Sequence, residues 1–258
     1  MKYKEIVYYS DDLNDEISDF KITPITIDKN YKYISNNIFY KIFSFITYRI
    51  IATPIMWCYF KIFKRISYRN TKILKQHKKD GIFIYGNHTN QLSDGISPAL
   101  IFKTKKPHLI CNADNVSMPF WKHFTKMWGA LPLPDTIDAT KNFNKAIEYN
   151  LDKKNPIVIY PEAHLWPYYT KIRPFSALSF RYPVKYNKPV YSFTTVYTKR
   201  KITKKPKMTI YVDGPFYPDT TLPPKEAQQK LRDEVYNTMV ERSKLSNYEY
   251  VTYQKKEN

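Results

Sequence analysis

The residues best suited to chemistry in this sequence are a histidine and an aspartate that follow a short apolar run. His88 comes three positions after the run 82–85, and a strand there would place it at the carboxyl edge of a parallel sheet, where binding sites gather. An imidazole can act as a general base near neutral pH. Asp94 could accept a hydrogen bond from the second ring nitrogen and fix the productive tautomer. A histidine that only caps a structural loop is the alternative interpretation.

A second polar segment follows another predicted strand, residues 157–160. Glu162 comes directly after the proline that ends this strand, and Lys171 and Arg173 follow within a dozen residues. A carboxylate beside two cations suits a substrate that carries both a hydroxyl and a phosphate. By itself, this segment leaves a strand-end turn with a surface ion pair as the alternative.

Together the two segments resemble the sequence blocks of the lysophospholipid acyltransferases, the family that includes the 1-acyl-glycerol-3-phosphate acyltransferases. The four matching blocks, in chain order, are Asn87-His88 with Asp94, residues 129–132, residues 160–163 and residues 189–193. Their order and intervals match the family over roughly residues 70–215.

The resemblance implies transfer of a fatty acyl group from a thioester to the hydroxyl of a lysophospholipid such as 1-acyl-glycerol-3-phosphate, in phospholipid biosynthesis. His88 and Asp94 would be the catalytic residues. The implied substrate-binding residues are Asn87, Glu162, His164, Lys171 and Arg173. No cofactor or metal is expected, and the co-substrate is acyl-coenzyme A or acyl-acyl carrier protein, which would make the carrier protein a partner. The sequence does not choose between these donors.

The sequence departs from the family pattern at three points. Five residues rather than four separate His88 from Asp94, so Ser93 stands at the usual spacing of the orienting residue. Ala163 replaces the glycine of the third block, a position where glycine indicates an unusual backbone angle or a close approach of substrate. The arginine of the second block has no counterpart, so other cations must bind the acceptor phosphate. The candidates are Lys171, Arg173 and Arg181.

The elements that position these residues form an alternating pattern of strands and helices. This pattern predicts an α/β fold with a single mixed, largely parallel sheet flanked by helices, preceded by an N-terminal amphipathic helical pair. The predicted strands are residues 82–85, 108–111, 157–160, 189–196 and 208–212. Helical spacing is clearest at residues 142–151 and after Pro223-Pro224. We assign residues 80–258 to a glycerolipid acyltransferase domain and residues 1–35 to a lead-in with strand character around Ile25.

Residues 36–79 are predicted to associate with a membrane. Two amphipathic helices joined near Pro54 fit the apolar pattern, and eight basic residues follow with no acidic residue among them. An apolar stripe beside basic charge is typical of a helix in an anionic membrane interface. A spanning helix is not favoured, because Arg49 would stand near its centre and Pro54 interrupts it. Packing of the stripe onto the core is the alternative. We expect a peripheral or shallowly inserted protein at the cytoplasmic membrane face.

Composition narrows the possible partners. Among 258 residues, 43% are hydrophobic, and 42 Lys and Arg against 23 Asp and Glu give a formal net charge of +19. This hydrophobic content argues against bulk disorder. The two cysteines, Cys58 and Cys111, exclude a disulfide framework and a cysteine-built zinc site. The charge favours an anionic membrane surface, and no nucleic acid is expected because no trusted recognition motif is present.

Three other functions stay open at this point. The protein could be a non-catalytic lipid-binding relative or a basic nucleic-acid-binding protein. It could also be a metal-dependent hydrolase that uses His88, Asp94, His108 and Glu162, since hard metal ions bind carboxylates and histidine.

Overall fold

The computed structural model of the protein describes residues 6–17, 22–102, 104–201 and 203–256. The strands in this part of the chain are β1 (Ile6–Tyr9), β2 (Ser67–Arg69), β3 (Phe83–Gly86), β4 (His108–Cys111), β5 (Ala130–Pro132), β6 (Ile157–Ile159), β7 (Val190–Thr198), β8 (Lys207–Phe216) and β9 (Thr252–Lys255). The α-helices are α1 (Ile38–Phe45), α2 (Thr53–Cys58), α3 (Gln91–Ile101), α4 (Lys122–Met127), α5 (Ile137–Asp152), α6 (Arg181–Tyr186) and α7 (Pro224–Ser243).

Seven strands form the main sheet, in the spatial order β2-β8-β7-β3-β6-β4-β5. The five strands from β7 to β5 are parallel, β8 runs antiparallel to β7, and β2 is parallel to β8. The predicted α/β fold with a mixed, largely parallel sheet is therefore confirmed. The carboxyl ends of β3, β6 and β4 lie at one edge of this sheet, which is where the polar segments after β3 and β6 begin.

Two apolar layers cover the sheet because successive side chains of a strand point to opposite faces. On the central strand, Phe83 and Tyr85 pack in the layer formed with α5 and α7. Ile84 faces the other layer, which includes Phe60 and Leu74 from the segments that precede β3. The strand that leads to His88 is thus held by packing on both faces.

The segment predicted as two helices is one continuous helix, Ile38–Lys64, which we call the N-terminal helix. Its α-helical parts α1 and α2 alternate with the π-helical parts Ile46–Ala52 and Tyr59–Lys64. Pro54 does not break it, because the wider π-helical turn precedes the proline and the Thr53 amide donates to the Tyr48 carbonyl, five residues back. The prediction of a joint at Pro54 is therefore wrong.

The first half of the N-terminal helix turns small polar residues to the protein, its end packs on the core through Phe60, and a long apolar side of the helix stays exposed. Ser44 and Thr47 are buried, and the Ser44 hydroxyl donates to the Met127 carbonyl at 2.7 Å. The Arg49 guanidinium donates to the Phe102 carbonyl at 3.3 Å. The large exposed apolar residues of the helix are Ile38, Phe39, Ile42, Phe43, Phe45, Ile46, Ile50, Ile51, Ile55, Trp57, Ile62 and Phe63. By length and composition this is the one helix of the described residues that could cross a membrane.

The lead-in, residues 1–35, lies partly outside the described residues. Within the described part, β1 pairs in parallel with β9 and joins the two ends of the chain. No strand forms around Ile25. The backbone amide of Ile27 instead donates to a carboxylate oxygen of Asp135 at 2.7 Å, so a side chain takes the place of a neighbouring strand. Strand character at that position was therefore a wrong prediction.

Candidate active site

The loop that carries His88 leaves the sheet through a tight passage beside Tyr160. A Cβ atom on Gly86, the last residue of β3, would stand 2.6 Å from the Cε1 atom of Tyr160. Only glycine allows this approach, because real side-chain contacts of Cβ atoms do not come so close. The ring of Tyr160 can then stack on the His88 imidazole, with centroids 4.8 Å apart and an interplanar angle of 24°.

The structure places Asp94 against His88. Nδ1 of His88 lies 2.9 Å from Oδ2 of Asp94, and the same oxygen accepts the backbone amides of Thr89 and Asn90, each at 2.9 Å. The Asp94 carboxylate is almost fully buried, at 3% side-chain exposure, against 23% for His88. An acceptor held by three donors is fixed in position, so the imidazole is fixed as well.

The extra residue between His88 and Asp94 is taken up by the start of a helix. Asn90 is the N-cap of α3, and its side chain accepts the amide of Ser93 at 3.0 Å. Asp94 therefore lies in the first helical turn, facing back to the histidine. Ser93, at the family's usual spacing, only donates to Oδ1 of Asp94 at 3.3 Å. Of the two candidates for the orienting residue, Asp94 is the one in contact with the imidazole.

Glu162 links the loop after β6 to the loop after β3. One carboxylate oxygen accepts the backbone amide of His88 at 2.9 Å, and the other accepts the backbone amide of Arg173 at 2.9 Å. The Arg173 guanidinium lies 3.7 Å from Glu162 in a pair that is almost entirely buried. Burial raises the pKa of Glu162, and the Arg173 charge and the two amides oppose that shift. The position of Glu162 is that of a residue that holds His88 rather than one that meets a substrate.

Arg173 does not lie where a phosphate ligand is expected. It is 1% exposed, and its guanidinium donates to the carbonyl oxygens of Asp12 and His164. The same group stacks on Trp166, with Cζ 4.7 Å from the ring centroid. All of these partners are inside the protein, so the expected contact with an acceptor phosphate is corrected to a structural role.

Asn87 is likewise turned away from any substrate. Its side-chain amide donates to the Thr195 carbonyl at 3.1 Å, and its oxygen accepts the Thr195 amide at 2.7 Å. The side chain thus continues the pairing between β3 and β7 one residue past the end of the strand. Buried in this position, Asn87 supports the loop and does not bind substrate directly.

The remaining predicted residues lie around the loop after β6. Nδ1 of His164 lies 2.8 Å from a carboxylate oxygen of Glu16 in the lead-in. Lys171 is exposed and does not line the cavity described next. The third cationic candidate, Arg181, does line it.

A cavity of about 480 Å³ opens in front of His88. Its walls are largely apolar and come from the ends of β4 and β6, from the loop after β6 and from the start of α6; they include Leu109, Ile110, Met118, Leu133, Leu165 and Leu178. Arg181 is the one lysine or arginine among the described lining residues. Since Asp94 occupies Nδ1 of His88, Nε2 is the nitrogen that remains for a substrate in this cavity.

Residues that sequence reasoning missed complete the support of the histidine. The Tyr160 hydroxyl donates to the Asp94 carbonyl at 2.6 Å, so this one side chain holds both members of the pair. Tyr197 and Thr89, both fully buried, are joined through their hydroxyls at 3.0 Å. Tyr160 could have been found, because it is the aromatic residue before Pro-Glu. The contact of Tyr197 with Thr89 has no local signal, because 108 positions separate them.

The metal-site alternative finds little support. His108 begins β4, at the end of the sheet opposite to His88, so the four residues named for a metal do not meet. Desolvation lowers the pKa of His108 to about 3. Within the described ranges, no group of three or more His, Cys, Asp or Glu side chains could hold a metal ion.

Replacing Arg173 by methionine should destabilise the fold by about 3 kcal/mol, because it leaves the buried Glu162 carboxylate without its counter-charge. Without Arg173 the pKa of Glu162 rises further, so the variant's deficit should shrink as the pH falls and the carboxyl takes up a proton. Urea unfolding at about pH 8 and about pH 5 measures this. The double variant with Glu162→Gln should recover part of the loss; an undiminished loss would show that the pairing is not its cause.

Ala163 has a positive φ of 62°, in the left-handed region that glycine adopts without strain. Ala163→Gly should therefore stabilise the protein by about 0.5–1 kcal/mol, after the greater chain entropy of glycine in the unfolded state is subtracted. A melting curve should shift up by about 2 °C. Ala146, in the interior of α5, provides the control, since Ala146→Gly should lower the melting temperature instead.

Comparison with known proteins bears on the fold. No protein-family profile and no curated protein matches the sequence. The crystal structure of the 1-acyl-sn-glycerophosphate (LPA) acyltransferase PlsC from Thermotoga maritima aligns with a TM-score of 0.55 at 14% sequence identity. The alignment covers 81% of this chain and 89% of that chain. At this identity the likeness shows a shared fold, and the chain therefore has the α/β fold of a known glycerophosphate acyltransferase.

Proposed function

We propose that the protein is an acyltransferase that moves a fatty acyl group from a thioester to the hydroxyl of a lysophospholipid. The observation that carries this proposal is the His88–Asp94 pair, held at 2.9 Å and open to a largely apolar cavity. A fixed imidazole suits removal of a hydroxyl proton, and the apolar walls suit a fatty chain. The fold shared with the T. maritima enzyme supports the same class of reaction.

The proposed reaction needs no nucleophile from the protein. Nε2 of His88 takes the proton of the acceptor hydroxyl while the hydroxyl oxygen forms a bond with the thioester carbonyl carbon. The carbon–sulfur bond then breaks, and the imidazolium returns its proton to the leaving thiolate. Asp94 stabilises the imidazolium between these two steps. Acyl-coenzyme A and acyl-acyl carrier protein are both thioesters, and either can serve as the acyl donor in this reaction.

Arg181 is our candidate for binding the acceptor phosphate. Its guanidinium stacks on the Tyr182 ring at 4.8 Å and donates to the Tyr182 hydroxyl at 2.8 Å, which orients it at the cavity wall. A guanidinium can bind a phosphate through two parallel hydrogen bonds. The side chain is exposed, unlike that of Arg173, so it is free to meet a ligand.

Arg181→Gln should raise the KM for a phosphate-bearing acceptor about tenfold, the value of one lost charge-assisted hydrogen bond. The KM for the thioester should change by less than about twofold, because this residue is assigned to the acceptor. Lys185→Gln, on the same helix, is the charge-matched control. Equal changes in both KM values would argue against a phosphate role for Arg181.

We also propose that the N-terminal helix lies in the membrane interface. Its apolar side is exposed, and its polar side is attached to the protein through Ser44 and Arg49. The exposed basic residues that follow the apolar stripe include Lys72, Lys75, Lys78 and Lys79. Apolar residues that enter the acyl layer beside cations that meet anionic headgroups are typical of a peripheral membrane protein.

The decisive experiment incubates the pure protein with labelled palmitoyl-coenzyme A, or palmitoyl-acyl carrier protein, and a panel of lysophospholipids, and then resolves the products. A labelled diacyl product that depends on the acceptor supports the proposal. Binding of lysolipid without any product from either donor would identify a non-catalytic lipid-binding protein. Salt-sensitive binding to DNA without binding to anionic vesicles would favour the nucleic-acid alternative.

A further inference from the structure

A second concave surface lies on the other side of the first turn of α3, away from the cavity in front of His88. Gln91 and Gly95, four residues apart on the helix, line the cavity in front of His88. Leu92 and Ser93 instead line a separate cleft of about 300 Å³. We call it the hairpin cleft, because it lies between the end of the N-terminal helix and the connection between β7 and β8.

The hairpin cleft combines three cations with an apolar floor. Lys64, Arg200 and Lys205 line it, and no acidic residue is among its described lining residues. None of the three cations forms an ion pair with a described acidic side chain. Unpaired basic residues that converge on one cleft favour an anionic ligand.

The cleft is a fixed part of the fold. The Arg200 guanidinium donates to the Lys64 carbonyl, which ties the β7–β8 connection to the end of the N-terminal helix. Phe60, in the cleft floor, is 2% exposed and belongs to the core beneath the sheet. The distance between the two sides of the cleft is therefore set by packing and by this hydrogen bond.

The neighbourhood of the cleft indicates which kind of anion fits it. Phe63 lines the cleft and is 73% exposed, at the end of the apolar side of the N-terminal helix. Phe63 and Leu92 offer a surface that a soluble phosphate would not use, whereas a lipid chain would cover it. A ligand with a charged head and an apolar tail matches both halves of the lining.

We propose that the hairpin cleft binds one anionic phospholipid of the membrane, apart from the acyl acceptor. Lys64, Arg200 and Lys205 hold the headgroup phosphate, and the first part of an acyl chain lies on Phe63 and Leu92. Such a lipid would fix the orientation of the N-terminal helix at the membrane surface. The proposed lipid site goes beyond acyl transfer and does not depend on it, because the site is tested by the binding of vesicles and not by enzyme turnover.

The test is sedimentation of the full chain with phosphatidylcholine vesicles that contain or lack phosphatidylglycerol. The triple variant Lys64→Gln, Arg200→Gln, Lys205→Gln should bind the anionic vesicles about 100-fold more weakly, at about fivefold for each cation. The charge-matched triple variant Lys145→Gln, Lys153→Gln, Lys225→Gln changes exposed positions on or beside α5 and α7, which cover the face of the sheet opposite to the N-terminal helix, and should lose at most about fivefold. Binding to pure phosphatidylcholine should be the same for all three proteins.

Four results would overturn the proposal. Equal binding of the wild type to both kinds of vesicle would exclude recognition of the anionic headgroup. Equal losses in the two triple variants would mean a diffuse charge effect. Displacement of the protein from the anionic vesicles by glycerol 3-phosphate, added at a concentration equal to that of the lipid phosphate, would make the cleft a free-phosphate site. Tighter binding to duplex DNA, lost only in the cleft variant, would assign the cleft to nucleic acid.

Discussion

His88→Ala should lower acyl transfer by at least about 10²-fold and by as much as about 10⁴-fold, the range of a lost general base. The reason is geometric. Nδ1 of His88 is occupied by Asp94 at 2.9 Å, and the imidazole lines the cavity, so Nε2 is the basic atom available to a hydroxyl there. Alanine leaves the cavity without that atom.

The variant should remain folded, which makes the result interpretable. The backbone amide of residue 88 still donates to Glu162, and Asp94 keeps its hydrogen bonds from the amides of Thr89 and Asn90. His123→Ala, at an exposed position of α4, is the matched control and should retain wild-type turnover. Initial rates with labelled thioester, beside a melting curve for each variant, measure the effect. Wild-type turnover in His88→Ala would end the assignment of the base.

Much of the framework around this histidine was predictable, because its strands are buried apolar runs. The predicted strand at residues 108–111 is observed as β4, and the predicted run 157–160 contains β6. The strands β2 and β5, with three residues each, were not predicted. The equally short β6 is a buried apolar run, whereas β2 and β5 are edge strands defined by pairing with one neighbour, which a local pattern does not contain.

The site was predictable where the chemistry is local and unpredictable where it depends on tertiary packing. His88 and Asp94 are six positions apart, and their contact follows from a loop and one helical turn. Arg173 was expected to bind phosphate, yet the fold brings Trp166 and Glu162 around its guanidinium and buries it. A sequence shows that a cation is present but not whether its charge is already satisfied inside the protein.

The N-terminal helix shows the same distinction. Its apolar stripe could cover the core or face a membrane, and the two interpretations have the same periodicity. The structure buries Ser44 and Thr47 on the opposite side, so the stripe is exposed. The hydrogen bond from Ser44 to the Met127 carbonyl and the packing of Phe60 on the core fix this orientation, and a hydropathy pattern contains neither contact.

Asp94→Asn should reduce turnover by about 10²-fold or more while leaving the KM values nearly unchanged. Asp94 is 2% exposed and touches the imidazole rather than the cavity, so its loss should act on the chemical step. An asparagine oxygen can still accept the amides of Thr89 and Asn90, but it lacks the charge that stabilises the imidazolium and favours the productive tautomer.

Ser93→Ala separates this role from a merely local disturbance. It removes only the 3.3 Å hydrogen bond to Oδ1 of Asp94 and leaves the oxygen that holds His88 untouched. Turnover should therefore fall by less than about fivefold, because the lost hydrogen bond is long and reaches the carboxylate oxygen that does not contact the imidazole. Measurement of kcat and KM for both variants decides which residue orients His88. The family spacing favours Ser93, whereas the observed contact favours Asp94. A larger loss in Ser93→Ala than in Asp94→Asn would return the orienting role to Ser93, and equal KM-dominated losses would mean that neither residue acts through the imidazole.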